Sequence, residues 1–117
     1  MLQDLLTKIV FLFTFLISSF CLSQEHPSVM SFSPENYKAE NQNWDITQAE
    51  NQFMYFANNS GLLEYNGSKW TLYPVPDNQI NNSIVRSVKA IGNKIYSGSY
   101  MDFGVWERDN LGVLKYE

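Results

Sequence analysis

The chain has 117 residues and a formal net charge of −4. That acidic balance excludes the basic surface that nucleic-acid phosphates require, so this segment is not expected to bind DNA or RNA itself. Charged residues make up 17% and aromatic residues 15% of the chain, a mix that favours buried sheet surface over solvated helix.

Residues 1–23 read as a secretory signal peptide: a polar start ending in Lys8, an apolar run from Ile9 to Ile17, then the small residues Ser18 and Ser19. The run is shorter than the ~20 apolar residues a spanning helix needs, which leaves a permanent anchor as the weaker alternative. Cleavage is expected after Ser23, with Cys21 and Ser23 as the small recognition residues, although Asp4 makes the start less positive than usual. A lipoprotein processed at Cys21 is disfavoured by the bulky Phe20 before it. Cys21 is the single cysteine and leaves with the signal, so no disulfide and no thiolate metal site is expected in what remains.

Residues 24–43 form a polar lead-in in which Pro27 and Pro34 prevent a continuous helix or a central strand. From Trp44 onward, short alternating apolar runs are separated by Asn, Gly, Asp and Ser, the pattern of a strand meander. The first set of strands is predicted at Trp44–Ala49, Phe53–Asn58, Leu62–Tyr65 and Trp70–Val75, with Asn66-Gly67 as the strongest hairpin signal. The second is predicted at Ile84–Ile91, Lys94–Ser99, Phe103–Glu107 and Val113–Tyr116, turning at Gly92-Asn93 and at Asp109–Gly112. Pro74 and Pro76 end the first set, and the stretch through Ser83 connects the two.

Overlaying the sets puts Tyr55 on Tyr96, Ile46 on Val88 and Gly61 on Gly104, at offsets of 41, 42 and 43 residues. A four-stranded unit repeating at that period is what a β-propeller blade requires. The expected fold class is therefore all-β: a signal peptide (1–23), the lead-in (24–43), a first propeller blade (44–76) and a second, incomplete blade (77–117). Blades bury their faces only against neighbouring blades, so more chain is expected after Glu117, and this piece alone is expected to self-associate. An eight-stranded immunoglobulin-like sandwich fits the same strand spacing and stands as the alternative.

No HExxH, GxSxG, cysteine pair or phosphate-binding glycine loop occurs, so no catalytic residue, metal ligand or cofactor is assigned. His26 is the single histidine and reads as a solvated residue of the lead-in. Glu64, Asp102 and Glu107 are carboxylates at sheet positions, read as solvated strand-end charges rather than as an acid/base pair. The three Asn-X-Ser sequons fall in expected turns, where Asn and Ser are favoured in any case. Most of the aromatics are expected in the core. The candidate ligand-binding residues are Asn58 and Asn59 in one turn, Tyr100 and Asp102 in another, and Arg86 in the approach that starts at Asn81-Asn82-Ser83. If these loops share one end of the fold, their amides, carboxylate and guanidinium suit a polar ligand such as a sugar.

The stretch Ser33–Ala39, then Gln42-Asn43-Trp44, the run MYFANNSGLLEYNGSKW from Met54 to Trp70, and NNSIVRSV from Asn81 to Val88 resemble the start of the two-component-regulator propeller sensors of Bacteroidetes. The resemblance covers about residues 31 to 117. It implies an exported, periplasmic propeller followed by a three-tyrosine sandwich domain, a transmembrane helix tethering the full-length parent to the inner membrane, and a cytoplasmic histidine kinase or LuxR-type helix-turn-helix. It further implies that this segment is the N-terminal part of a ligand sensor rather than an enzyme. The expected partners are the remaining blades of the same chain, a small oligosaccharide and, for the full-length protein, a second copy. A secreted carbohydrate-binding or polysaccharide-cleaving propeller protein is the alternative.

Overall fold

The computed structural model describes residues 1–18, 25–76 and 84–117. They fall into two compact units, Met1–Met30 and Ser31–Glu117.

The first unit holds helix α1, Leu2–Ser18. The hydroxyls of Thr7 and Thr14 donate to the carbonyls of Gln3 and Val10 one turn back, so these polar side chains are satisfied within the helix. At 1.5 Å per residue the helix is about 25 Å long, short of a hydrocarbon core of about 30 Å. Among the described residues no helix is long and apolar enough to cross a membrane. The expected cleavage point after Ser23 lies outside the described residues.

The second unit opens with a single helical turn, α2 (Pro34–Tyr37), inside the stretch expected to be irregular. Pro34 occupies the start of the turn, where a missing N–H costs nothing and the fixed φ is already helical. The Asn36 side chain reaches back to the Ser33 N–H at 2.8 Å and to its hydroxyl at 3.0 Å. Lys38 then closes the turn in the left-handed region, φ 53°, and its N–H donates to the Pro34 carbonyl. Pro34 thus starts the helix instead of preventing it, and the left-handed Lys38 ends it after one turn.

Two four-stranded antiparallel sheets follow, each in simple sequence order. The first contains β1 (Asn43–Gln48), β2 (Met54–Asn58), β3 (Gly61–Tyr65) and β4 (Trp70–Tyr73). The second contains β5 (Val85–Ile91), β6 (Lys94–Ser99), β7 (Asp102–Arg108) and β8 (Leu114–Tyr116). All eight predicted strands are present, with ends that differ by at most two residues. The loops close on side chains: the Asn66 carbonyl oxygen accepts from Ser68 and Lys69, and an Asp109 carboxylate oxygen accepts from Leu111 and Val113. These are the short-range turns that make Asn and Asp common between strands. A side chain at Gly61, φ 139°, would run into the Tyr73 carbonyl and Pro74, so the β2–β3 turn needs glycine there.

Pairing partners show which residues are equivalent in the two sheets. Ile46 opposite Phe56 corresponds to Val88 opposite Ser97, and Ala57 opposite Leu62 corresponds to Gly98 opposite Phe103. By the same rule Gly104, opposite Ser97, corresponds to Leu63, opposite Phe56; the expected match of Gly104 with Gly61 is therefore displaced. Gly104 is required for a different reason, since the Tyr116 ring lies where its Cβ would stand.

The core forms between the sheets from Tyr55, Ala57 and Leu62 of the first and Val88, Ile95, Trp106 and Leu114 of the second. Inside it the Trp106 indole N–H donates to the Ser97 hydroxyl at 2.8 Å, so the one polar edge of the ring is satisfied. The faces that meet are not equivalent. Tyr55 and Leu62 look at the second sheet, yet their counterparts Tyr96 and Phe103 lie on that sheet's far side, where Phe103 is 70% exposed. The sheets thus stack front to back, like successive steps of one repeat. A two-fold sandwich would instead bury equivalent faces against each other.

The leading strands β1 and β5 run beside each other across this stack. Each is an edge strand of its own sheet, so half of its backbone donors have no strand partner. Asp45 and Thr47 of β1 cover that edge of β5, accepting from the Val88 N–H at 3.0 Å and the Ala90 N–H at 3.2 Å.

The far side of the second sheet carries the Tyr96–Phe103 stacked pair, ring centroids 6.1 Å apart, beside exposed Ile91. Exposed aromatic and aliphatic side chains on an uncovered sheet face drive association. The 117-residue chain is expected to elute from size exclusion as concentration-dependent oligomers, and Phe103→Lys is expected to shift it towards monomer. A sharp monomer peak for the unmodified chain at high concentration would contradict this.

Candidate functional site

Both leading strands break register at the same point: the ladder jumps from Asn43 to Asp45 in β1 and from Val85 to Ser87 in β5. The skipped residues, Trp44 and Arg86, are bulged, and they are equivalent positions of the repeat. A bulge bends the strand and turns its extra side chain out of the pleat. Both side chains are exposed, and the Arg86 guanidinium carbon sits 4.8 Å from the centroid of the Trp44 ring. That is a cation–π contact, which holds the planar guanidinium over the indole face.

Asn59 completes the group. Its side-chain oxygen accepts the Trp44 indole N–H at 2.7 Å, and its backbone N–H donates to the Gln42 carbonyl at 3.2 Å. The ring is fixed on one edge by Asn59 and loaded on its face by Arg86. Of the five sequence candidates, Asn59 and Arg86 are therefore brought together through Trp44.

Tyr100, the counterpart of Asn59 in the β6–β7 turn, stands at the same end of the second sheet and is 60% exposed. Asp102 is half-buried; one carboxylate oxygen accepts from the Phe103 N–H and the other from the Tyr116 hydroxyl at 3.2 Å. Asn58 is fully buried and structural. Its amide donates to the Glu40 carbonyl at 2.7 Å and to the Asn43 side chain at 2.9 Å, while its oxygen accepts from the Ser60 N–H. It ties the lead-in to the β2–β3 turn and offers no group to a ligand. The approach residues Asn81, Asn82 and Ser83 lie outside the described residues.

Sequence reasoning missed Trp44, which it read only as the start of a strand. The repeat carried a signal, because an offset of 42 residues places Trp44 on Arg86, but alternation alone does not reveal a bulge.

At the opposite end of the stack a cleft of about 230 Å³ opens between the β1–β2 and β5–β6 turns, with Tyr55 and Arg108 among its lining. Glu64 was expected as a solvated strand-end charge. Instead it is 4% exposed and ion-paired with Arg108, whose guanidinium also donates to the Tyr55 hydroxyl at 2.9 Å. Glu64 lies opposite Tyr55, on the face of β3 that the second sheet covers. Glu107 keeps a surface role, 3.5 Å from Lys94.

Burial, reinforced by the neighbouring Glu64 carboxylate, pushes the Tyr55 phenol from 10.0 up to about 12. Burial pulls Arg108 down, but the Tyr55 hydrogen bond and the Glu64 charge outweigh it and hold the guanidinium above its ordinary value. Below pH 10 the phenol is protonated in both folded and unfolded chains. Between pH 10 and about 12 the unfolded chain loses the proton and the folded chain keeps it, so stability falls as pH rises through that window. The loss should reach ~2–3 kcal/mol. Urea midpoints measured across the window check this, and Tyr55→Phe should flatten the decline.

Among the described residues no group of three or more His, Cys, Asp or Glu side chains could hold a metal ion. No protein-family model, no curated protein and no solved structure matches the chain.

Proposed function

We propose that the chain supplies the first two blades of an exported, periplasmic ligand-sensing β-propeller, whose full-length parent carries the signal across the inner membrane to transcription control. The front-to-back stacking of two equivalent four-stranded sheets, with their leading strands side by side, carries this reading. A step that joins unlike faces repeats without closing on itself after two units, and a ring of such steps is a propeller. The bulged pair at one end then lies at the mouth of the central channel, where a ring of blades gathers its leading strands. The apolar helix at the N-terminus supports export, and the ligand class best suited to the exposed polar groups beside an indole is a saccharide.

The experiment joins location to response. Cell fractionation with intact-mass measurement should place the protein in the periplasmic fraction or at the inner membrane, without its first 23 residues. Deleting the gene should abolish induction of a set of transcripts by one polysaccharide. Cytoplasmic protein, or an unchanged transcript profile on every polysaccharide tried, would overturn the reading. Release of new reducing ends from the polysaccharide by the purified full-length protein would favour a secreted cleaving propeller instead.

A further inference from the structure

We infer that Trp44, Arg86 and Asn59 form a subsite for the carboxylate of an acidic saccharide, an inference that rests on the sensing reading above. The first ground is the chemistry on offer. Asn59 commits its side-chain oxygen to the Trp44 N–H, which leaves the amide nitrogen as the side chain's donor. Arg86 has donors only, and its guanidinium lies over the Trp44 ring. A guanidinium so placed still carries N–H donors that can meet the two oxygens of a carboxylate, a match that a lysine ammonium cannot reproduce. Among the described residues no carboxylate is ion-paired with Arg86.

The second ground is how the group is built. The same bulge occurs at the same step of two successive sheets, and in each it turns one large side chain out at the same end of the stack. A bulge sacrifices ladder pairing, and its recurrence at one repeat position sets up a line of side chains rather than a local accident. Here that line consists of an indole and a guanidinium already joined, fixed by Asn59 from the neighbouring turn. Tyr100, at the turn position equivalent to Asn59, adds a second exposed ring at this end, suited to the apolar face of a sugar.

The full 117-residue chain is titrated with a short oligogalacturonate, with the methyl ester of the same oligomer, and with acetate, following binding by calorimetry. The acid oligomer is expected to bind at least about tenfold more tightly than its ester, and more tightly than acetate. Arg86→Gln should cost about tenfold or more, the loss of one charge-assisted pair. Arg86→Lys should recover only part of it, and Asn59→Ala should weaken binding less. Urea midpoints of all three variants should match the parent, because the altered side chains lie outside the core. Equal binding of acid and ester, or Arg86→Gln binding like the parent, overturns the subsite and leaves saccharide sensing standing. Acetate binding as tightly as the oligomer overturns the saccharide part of the assignment. Binding of neither oligomer overturns the subsite, and the sensing reading is then decided by the localisation and transcript experiment.

Discussion

Glu64→Ala is expected to destabilise the two-sheet unit by about 3 kcal/mol, because it strands a guanidinium that the fold holds between the sheets. Glu64 is nearly inaccessible, and Arg108 is about a quarter exposed, with a side-chain accessibility of 28%. Water therefore recovers some of the lost interaction on the Arg108 side, which places the effect at the low end of that for breaking a buried pair. Arg108→Ala should cost at least as much. It leaves the carboxylate without its cation, strips a donor from the Tyr55 hydroxyl and removes the contact with the Phe53 ring. The joint replacement Glu64→Leu with Arg108→Met should restore much of the loss, since no charge is then left buried. Urea denaturation of the parent and the three variants checks this. Single replacements that cost only a few tenths of a kcal/mol would contradict the buried-pair account.

The second large effect concerns the lead-in. Phe32 and Tyr37 cover the outer face of the first sheet, with ring centroids 5.1 Å and 5.4 Å from that of Trp70, and Tyr65 stacks on Trp70 at 4.5 Å. Glu40 extends the attachment: its backbone N–H donates to the Ser60 hydroxyl and its carbonyl accepts the Asn58 amide. The segment thus forms a cap over the aromatic side chains on that face of the first sheet. Truncating both rings, Phe32→Ala with Tyr37→Ala, should cost about 3–5 kcal/mol, as expected for removing packed aromatics. It should also shift tryptophan emission to the red, because Trp70 loses its cover. Self-association should increase as well, because a second apolar face is then open. A double variant with parental stability and unchanged emission would mean that the cap carries no load.

Strand positions could be read from the residues because they depend on local rules. Alternation in MYFAN and KIYSGS, with Asn66-Gly67, Gly92-Asn93 and Asp109–Gly112 between runs, places each strand within two residues of where it forms. The turn chemistry acts over two to four residues, as the Asn66 and Asp109 hydrogen bonds show. The lead-in was opaque for the opposite reason. Phe32 and Tyr37 follow no periodicity, and their partners Tyr65 and Trp70 are about thirty residues away.

Residue types and repeat spacing thus decided that the chain makes two four-stranded units of one kind, and that Asn59, Arg86 and Tyr100 belong to their ends. Which faces meet was decided only by stacking. Glu64 and Val105 occupy equivalent places in the repeat, yet one lies inside the interface as a charge with its counterion 44 residues away and the other lies on the far side. Trp44 became part of a site only when the bulge turned it towards a residue of the next sheet. Local dihedral and turn preferences fix elements over a few residues, whereas burial and charge pairing depend on which surfaces are brought within a few ångströms, and only the stacked sheets do that.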